Sequence, residues 1–334
     1  MANEHPLSLR RDAWSRRTTS SIMMRQLLKA GLCTLIMSAS VYAQPDQRSQ
    51  LTSKFRTTLG DIVRTTDGVV GVSVLDLKSG ERFGVNDSLV FPQGSAIKIP
   101  VLVELYRQAD AGIIKLDERV SLRGADQVAG TGVVQYFTEG QSMLSLHDLA
   151  VLMIVLSDNA ATNVLIGKVG MSAVNSTMVS MKLPAIKLQR LMIRARESAV
   201  GNENVATPAQ AAELMRRIHT CELPMAKTRC DELRRLLEIP KDGAFPASVP
   251  GSVHVAWKPG TVEGVETSWG LFALPGNPYV VTAMVNYSDE AAGQAALRRV
   301  ADAAYEYFRR VTRASAFGVR VPLQLADSVK KPPR

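Results

Sequence analysis

Histidine is scarce in this chain of 334 residues: there are four, and only His147, His219 and His254 lie beyond the first 43 positions. None stands beside an obvious nucleophile, so a Ser–His–Asp triad or a two-histidine metal site has few candidates. Cysteine is scarcer still, with three. The apolar run AGLCTLIMSASVYA (30–43) is too short to span a bilayer, which takes about 20 apolar residues as a helix, so no stable membrane insertion is expected. Aromatic residues make up only 5% of the chain and do not interleave with a basic stripe, which argues against nucleic acid as a partner. There is no repeat of fixed period.

The first 43 residues have the form of an export signal. Arg25 and Lys29 precede the apolar run, which ends in Val41-Tyr42-Ala43 with small residues where a signal peptidase reads. The expected location is therefore periplasmic or secreted. This segment carries six Lys/Arg and two Asp/Glu, so its removal lowers the formal charge from +9 to about +5. That balance is only weakly suggestive of anionic partners. Cys221 and Cys230 remain, nine apart across a helix–helix turn. An oxidising compartment permits them to pair, and two free thiols are an equal alternative.

Beyond the signal, apolar periodicity divides the chain into three stretches. Leu51, Phe55, Leu59 and Ile62 have helical spacing, and GVVGVSVLDLKSGERFGVND reads as a β-hairpin. Helices are expected over 95–109, 146–156, 159–168, 172–181, 207–219 and 227–238, with a long irregular piece over 183–206. Strand patterns return in SVHVAWKPG, ETSWGLFAL and PYVVTAMVNY, and a helix follows over 289–313. Strands at both ends with helices between them imply one antiparallel sheet, built from distant segments and flanked by helices, with an inserted all-helical subdomain. The expected boundaries are a signal at 1–43, a catalytic domain at 44–314 and a tail at 315–334. Within the domain, the sheet part covers about 50–92 and 245–314, and the helical part about 93–244. A cleft between two such parts is a common place for an active site.

Three short motifs carry chemistry. In Ser95-Ala96-Ile97-Lys98 the serine and lysine share a helix face at i and i+3. Lys98 sits in an apolar run with Ile97, Ile99, Val101, Leu102 and Val103. A lysine kept dry has a lowered pKa and can take a serine's proton. Pro100 lacks an N–H, so the Ser–Lys turn should be distorted or close to the helix start. Ser157-Asp158-Asn159 follows the apolar helix LAVLMIVL, and Lys258-Pro259-Gly260-Thr261 ends a strand. Each alone suits a helix cap or a turn.

Together, S-x-x-K, S-D-N and K-x-G in this order resemble the class A β-lactamase-like serine hydrolases, the penicillin-recognising enzymes. GTGVVQYF, LSLHDLAVLMIVLSDNAATNVLIG, NENVATPAQAAELM and KPGTVEGVETSWGLF extend the resemblance over about 55–312. It implies Ser95 as the acylated nucleophile, Lys98 as its activator, Ser157 as the relay to the leaving nitrogen and Lys258 as the electrostatic partner. Asn159, Gly260 and Thr261 would bind substrate, with the backbone N–H groups of Ser95 and Thr261 as the oxyanion hole. No metal and no cofactor are implied.

Two departures from the family pattern bear on function. Pro259 removes a hydroxyl and a backbone donor where a substrate carboxylate is held, and the hydroxyl of Thr261 is the expected substitute. The family's deacylating glutamate belongs to an E-x-x-x-N pattern, whereas Glu197 is followed by an asparagine at 202, five on. Glu197 is a candidate base and equally a solvated loop carboxylate paired with Arg194 or Arg196; Glu203 is the other candidate, and if neither serves, the acyl-enzyme turns over slowly. The implied activity is β-lactam ring hydrolysis through an acyl-enzyme, on a small-molecule β-lactam or a peptidoglycan-like substrate, by a monomer. The alternatives are a D-alanyl peptidase or acyltransferase of the same fold, a sensor that stays acylated, and an esterase.

Overall fold

The computed structural model describes residues 47–315 and 317–321. The export signal read at 1–43 and most of the 315–334 tail lie outside the described residues. The chain begins with helix α1 (Gln47–Thr65), whose first turn is polar and exposed, so the helix starts four residues earlier than the apolar spacing predicts. Strands β1 (Val69–Asp76) and β2 (Arg82–Val85) form the expected hairpin, followed by the short β3 (Phe91–Pro92).

A 3-10 turn (Gly94–Ile97) leads into α2 (Lys98–Asp110). Pro100 is the third residue of α2, where a backbone N–H has no intrahelical partner anyway, so the proline costs no hydrogen bond. β4 (Arg119–Ser121) and β5 (Met143–Ser145) pair with each other. Helices α3 (Leu146–Val155), α4 (Asn159–Val169) and α5 (Met171–Ser180) follow. The irregular piece holds a single helical turn, α6 (Ala195–Ala199), and β6 (Val205–Ala206), which pairs with β3. Helices α7 (Pro208–Thr220), α8 (Lys227–Glu238) and α9 (Ala244–Ala247) complete the helical stretch.

Three strands then return to the sheet: β7 (Val255–Val262), β8 (Val265–Phe272) and β9 (Tyr279–Asn286). The long helix α10 (Glu290–Val311) follows, and β10 (Ala314–Ser315) and β11 (Gly318–Val319) form a final hairpin. The five-stranded sheet is antiparallel in the order β2-β1-β9-β8-β7, so strands from the two ends of the chain meet at β1–β9 and β7 lies at an edge.

The sheet is covered on both faces, which explains why β8 is buried along its whole length. One core joins the sheet to α1 and α10 through Phe55, Leu59, Val300 and Phe308 among others. On α10, Leu297, Val300, Ala301, Ala304 and Phe308 recur at three- and four-residue steps, which makes that stripe. The second core surrounds α2, which is buried from Lys98 to Tyr106 on every side. A helix apolar all round belongs in the centre of a domain, and this one brings Lys98 with it. Among the described residues, no helix is long and apolar enough to cross a membrane.

The two cysteines left open by the sequence are paired: Cys221–Cys230 ties the end of α7 to α8, with their Cα atoms 5.7 Å apart. Cys221 occupies the left-handed position that ends α7.

Candidate active site

Ser95 and Lys98 lie on the turn that opens α2, with Lys98 Nζ 3.0 Å from Ser95 Oγ. The amine also lies 2.6 Å from Ser157 O, 3.1 Å from Ser157 Oγ and 3.0 Å from Asn159 Oδ1. Lys98 has no exposed surface. Burial lowers its pKa to about 7, against a smaller opposing pull from Asp158. A neutral amine has two N–H bonds and one lone pair. The carbonyl of Ser157 and Asn159 Oδ1 accept the two N–H bonds, which leaves the lone pair for the Ser95 proton.

Lys258 Nζ lies 3.0 Å from Ser157 Oγ and 3.1 Å from Pro259 O. The Ser157 hydroxyl thus bridges two lysines. Burial, and then the neighbouring Lys98 and Lys241, hold the Lys258 ammonium well below the ordinary lysine range. Two amines so close to one hydroxyl cannot both carry full charge at low cost, so charge on Lys258 favours the neutral form of Lys98 and charge on Lys98 that of Lys258.

Ser157 has φ 54°, a left-handed conformation that costs a non-glycine residue about 1–3 kcal/mol. Its neighbours hold it there. Asp158 caps α4 by accepting from Ala161 N, and its other oxygen accepts from the backbone N–H groups of Val133 and Val134. Thr131 Oγ1 donates to Ser157 O, and Asn159 N donates to Thr131 O. The segment around GTGVVQYF is therefore bound to S-D-N on both backbone and side-chain sides.

Gly260 lets β7 pass directly against the Ser95 turn. A Cβ at 260 would meet Gln93 O at 2.2 Å and Ser95 N at 2.7 Å. Behind that turn, Gln93 is buried, with Oε1 accepting from Trp269 Nε1 and its backbone O accepting from Thr267 Oγ1. Sequence reading placed Asp158 in the S-D-N motif as a helix-cap residue, which it is, but missed Gln93, Thr131 and Asn163 as positioning residues. No spacing rule gives the partners of these polar side chains.

The cleft has a volume of about 710 Å³ and is lined by Ser95, Ser157, Asn159, Lys258 and Thr261, among others. Its far wall is the 183–206 loop, which contributes Arg190, Met192 and Arg194. Asn163 clamps that wall by donating to Met192 O at 3.2 Å and accepting from Met192 N at 2.8 Å. Asn204 accepts from the backbone N–H groups of Gln189 and Arg190.

The structure brings Ser95, Lys98, Ser157, Asn159, Lys258, Gly260 and Thr261 together, but not Glu197. That residue sits on the α6 turn, half-buried, and does not line the cleft. Its carboxylate has no hydrogen bond or ion pair among the described residues. Glu203 is held by Arg190 at 2.8 Å and accepts from the Ser198 hydroxyl. Of the lining residues only Glu263, exposed on the β7–β8 turn, bears a carboxylate. Thr261 lines the cleft, as its expected role requires, and its hydroxyl donates to Glu266 at 2.8 Å. Among the described residues, no group of three or more His, Cys, Asp or Glu is placed to hold a metal.

The model of the beta-lactamase enzyme family matches residues 54–308. A beta-lactamase from Rhodobacter capsulatus is 27% identical over 203 residues, 60% of this chain and 66% of the relative. The aligned part spans about a third to two thirds of the length of the curated relatives. Among solved structures, a beta-lactamase from Sphaerobacter thermophilus is similar at TM-score 0.71 and 30% identity, covering 77% of this chain and 97% of that one. A mutant of PBP-A, solved as an acyl-enzyme complex with penicillin G, is similar at TM-score 0.71 and 26% identity, with the same shares covered.

Proposed function

This chain belongs to the beta-lactamase enzyme family, and we propose that it opens β-lactams by forming an acyl-enzyme on Ser95. The observation that carries this reading is the hydrogen-bonded row Ser95–Lys98–Ser157–Lys258, with a dry lysine next to the nucleophile. Lys98 takes the Ser95 proton as Oγ attacks the lactam carbonyl. The C–N bond breaks, and the proton reaches the leaving nitrogen through Ser157, whose hydroxyl Lys258 polarises. The backbone N–H groups of Ser95 and Thr261 serve the oxyanion, and Asn159 and Gly260 shape the floor.

Hydrolysis of the resulting ester needs a base for water. Glu197 does not line the cleft and Glu203 is held by Arg190 and Ser198, so Lys98, again neutral after acylation, takes that role. Deacylation is then the slow step. The same observation favours a second reading, in which the acyl-enzyme persists and the protein acts as a penicillin-binding protein or sensor. The likeness to PBP-A held as an acyl-enzyme supports it.

Export to an oxidising compartment is part of the proposal, supported by the signal-like start and by the Cys221–Cys230 bond. Incubation with a chromogenic cephalosporin, followed by colour and by intact mass, tests the activity against Ser95→Ala. Sustained colour that is lost in the variant supports hydrolysis, and a lasting adduct without sustained colour supports the second reading. Absence of both sinks the assignment to β-lactams.

A further inference from the structure

Thr261 and Glu266 are directly opposed in the β7–β8 ladder, so their side chains share one face of the sheet. Thr261 lines the cleft beside Lys258 and Pro259, yet its hydroxyl donates to Glu266 Oε2 at 2.8 Å. Glu266 is only 3% exposed. Gln294 on α10 donates to the same oxygen at 2.5 Å. Gly293 on α10 leaves room for this arrangement, since a Cβ there would lie 2.7 Å from Glu266 Cγ. A carboxylate can only accept, and a hydroxyl has one proton to give. While Glu266 is ionised, Thr261 has no proton to offer a ligand. Pro259 offers neither a hydroxyl nor an N–H, so on this strand the Thr261 hydroxyl is the side-chain donor that can join Lys258 in holding a substrate carboxylate.

We propose that Glu266 is a positioning residue that sets, through Thr261, how strongly the cleft holds a substrate's carboxylate. Ionised, it takes the Thr261 proton. Protonated, it donates its own proton to Thr261 Oγ1 and releases the threonine proton to the ligand. This rests on the reading of the cleft as a β-lactam site.

The charges around Glu266 permit the switch. Burial holds its carboxyl above the ordinary glutamate range, opposed in part by the hydrogen bonds from Thr261 and Gln294 and reinforced by Glu290 on α10. The facing residue on β9 is Val285, which is apolar. β7 contributes Thr261, with Lys258 three residues earlier and therefore on the opposite face. Lowering the pH through the Glu266 titration therefore strengthens binding of carboxylate-bearing substrates.

The test compares benzylpenicillin with its methyl ester, which lacks the carboxylate. Second-order rates of Ser95 acylation are read by intact mass from pH 5 to 8 in the wild type, E266Q, T261V and T261S. The acid-to-ester ratio cancels the titration of Lys98, which both substrates share. Lys258 affects the ratio in every variant, so differences between variants isolate Glu266. The free acid stays ionised throughout.

In the wild type the ratio should rise as the pH falls through the Glu266 titration, by up to about tenfold and beyond any rise in E266Q, as for a hydrogen bond to a charged group. E266Q should show the raised ratio already at pH 8, because its amide donates to Thr261 once the Gln294 amide turns its oxygen toward it. T261V should stay low throughout, and T261S should restore the wild-type profile. Superimposed profiles for the wild type and either E266Q or T261V overturn the proposal. A wild-type protein that forms no adduct with either compound overturns the proposed function, and this inference with it.

Discussion

Lys98 Nζ stands 3.0 Å from Ser95 Oγ, one turn along the chain, in a position with no solvent exposure. The short distance makes proton transfer direct, and the burial supplies the driving force. Because burial lowers the Lys98 pKa to about 7, acylation should follow the neutral amine. The rate with a neutral β-lactam ester should fall about tenfold per unit below pH 7 and level off above it. Lys98→Arg, which keeps the charge but cannot deprotonate, should lose about 10²–10⁴ in acylation rate across the range. Stopped-flow acylation against pH checks both, and a flat profile would show that Lys98 is not the base.

Glu197 sits on the α6 turn outside the cleft lining. Glu197→Gln should therefore leave the decay of the Ser95 adduct within about twofold, where loss of a working general base costs about 10²–10⁴. Following the adduct mass after removal of free β-lactam measures it, and a hundredfold slowing would return Glu197 to the mechanism.

Gly260→Ala places a Cβ 2.2 Å from Gln93 O and 2.7 Å from Ser95 N. These are backbone atoms that cannot swing aside. The strand and the Ser95 turn must separate, at a cost of about 1–3 kcal/mol in stability. Urea melts should record that loss, and acylation should fall more steeply than stability because the nucleophile itself is displaced. Wild-type acylation in the variant would refute this account of the turn.

The disulfide closes a short loop, with Cys221 and Cys230 nine apart. On the chain-entropy model its removal should cost about 2–3 kcal/mol. The double variant Cys221→Ser/Cys230→Ser should melt at lower urea than the oxidised wild type. Ser95 acylation under native conditions should persist, because neither cysteine lines the cleft. Equal midpoints would mean that the bond contributes nothing to stability.

The Ser95–Lys98 turn was legible from local rules, and the rest of the site only through the resemblance of its motifs. The i, i+3 step put Ser95 beside Lys98, the apolar run marked that lysine as dry, and Pro100 marked the helix start. Alternation and periodicity found the hairpin, the three returning strands and α10, because each pattern repeats within one element. Glu197 could not be judged this way. A loop carboxylate has no periodicity to betray its direction, and only the clamp of Asn163 on Met192 shows which residues that loop turns toward the cleft.

The sequence by itself determined which segments form helices and strands, since that depends on contacts a few residues apart, and its three motifs nominated the cleft residues only through their resemblance to a family. Tertiary structure alone decided how distant segments meet. Ser157 lies between two lysines that are 59 positions before it and 101 after it, and the Thr261 hydroxyl points to Glu266 only because β7 and β8 pair in that register. Register, packing and the burial they create are properties of the whole chain folded at once. They set the proton affinity of Lys98 and the single proton of Thr261, which no local stretch of sequence fixes.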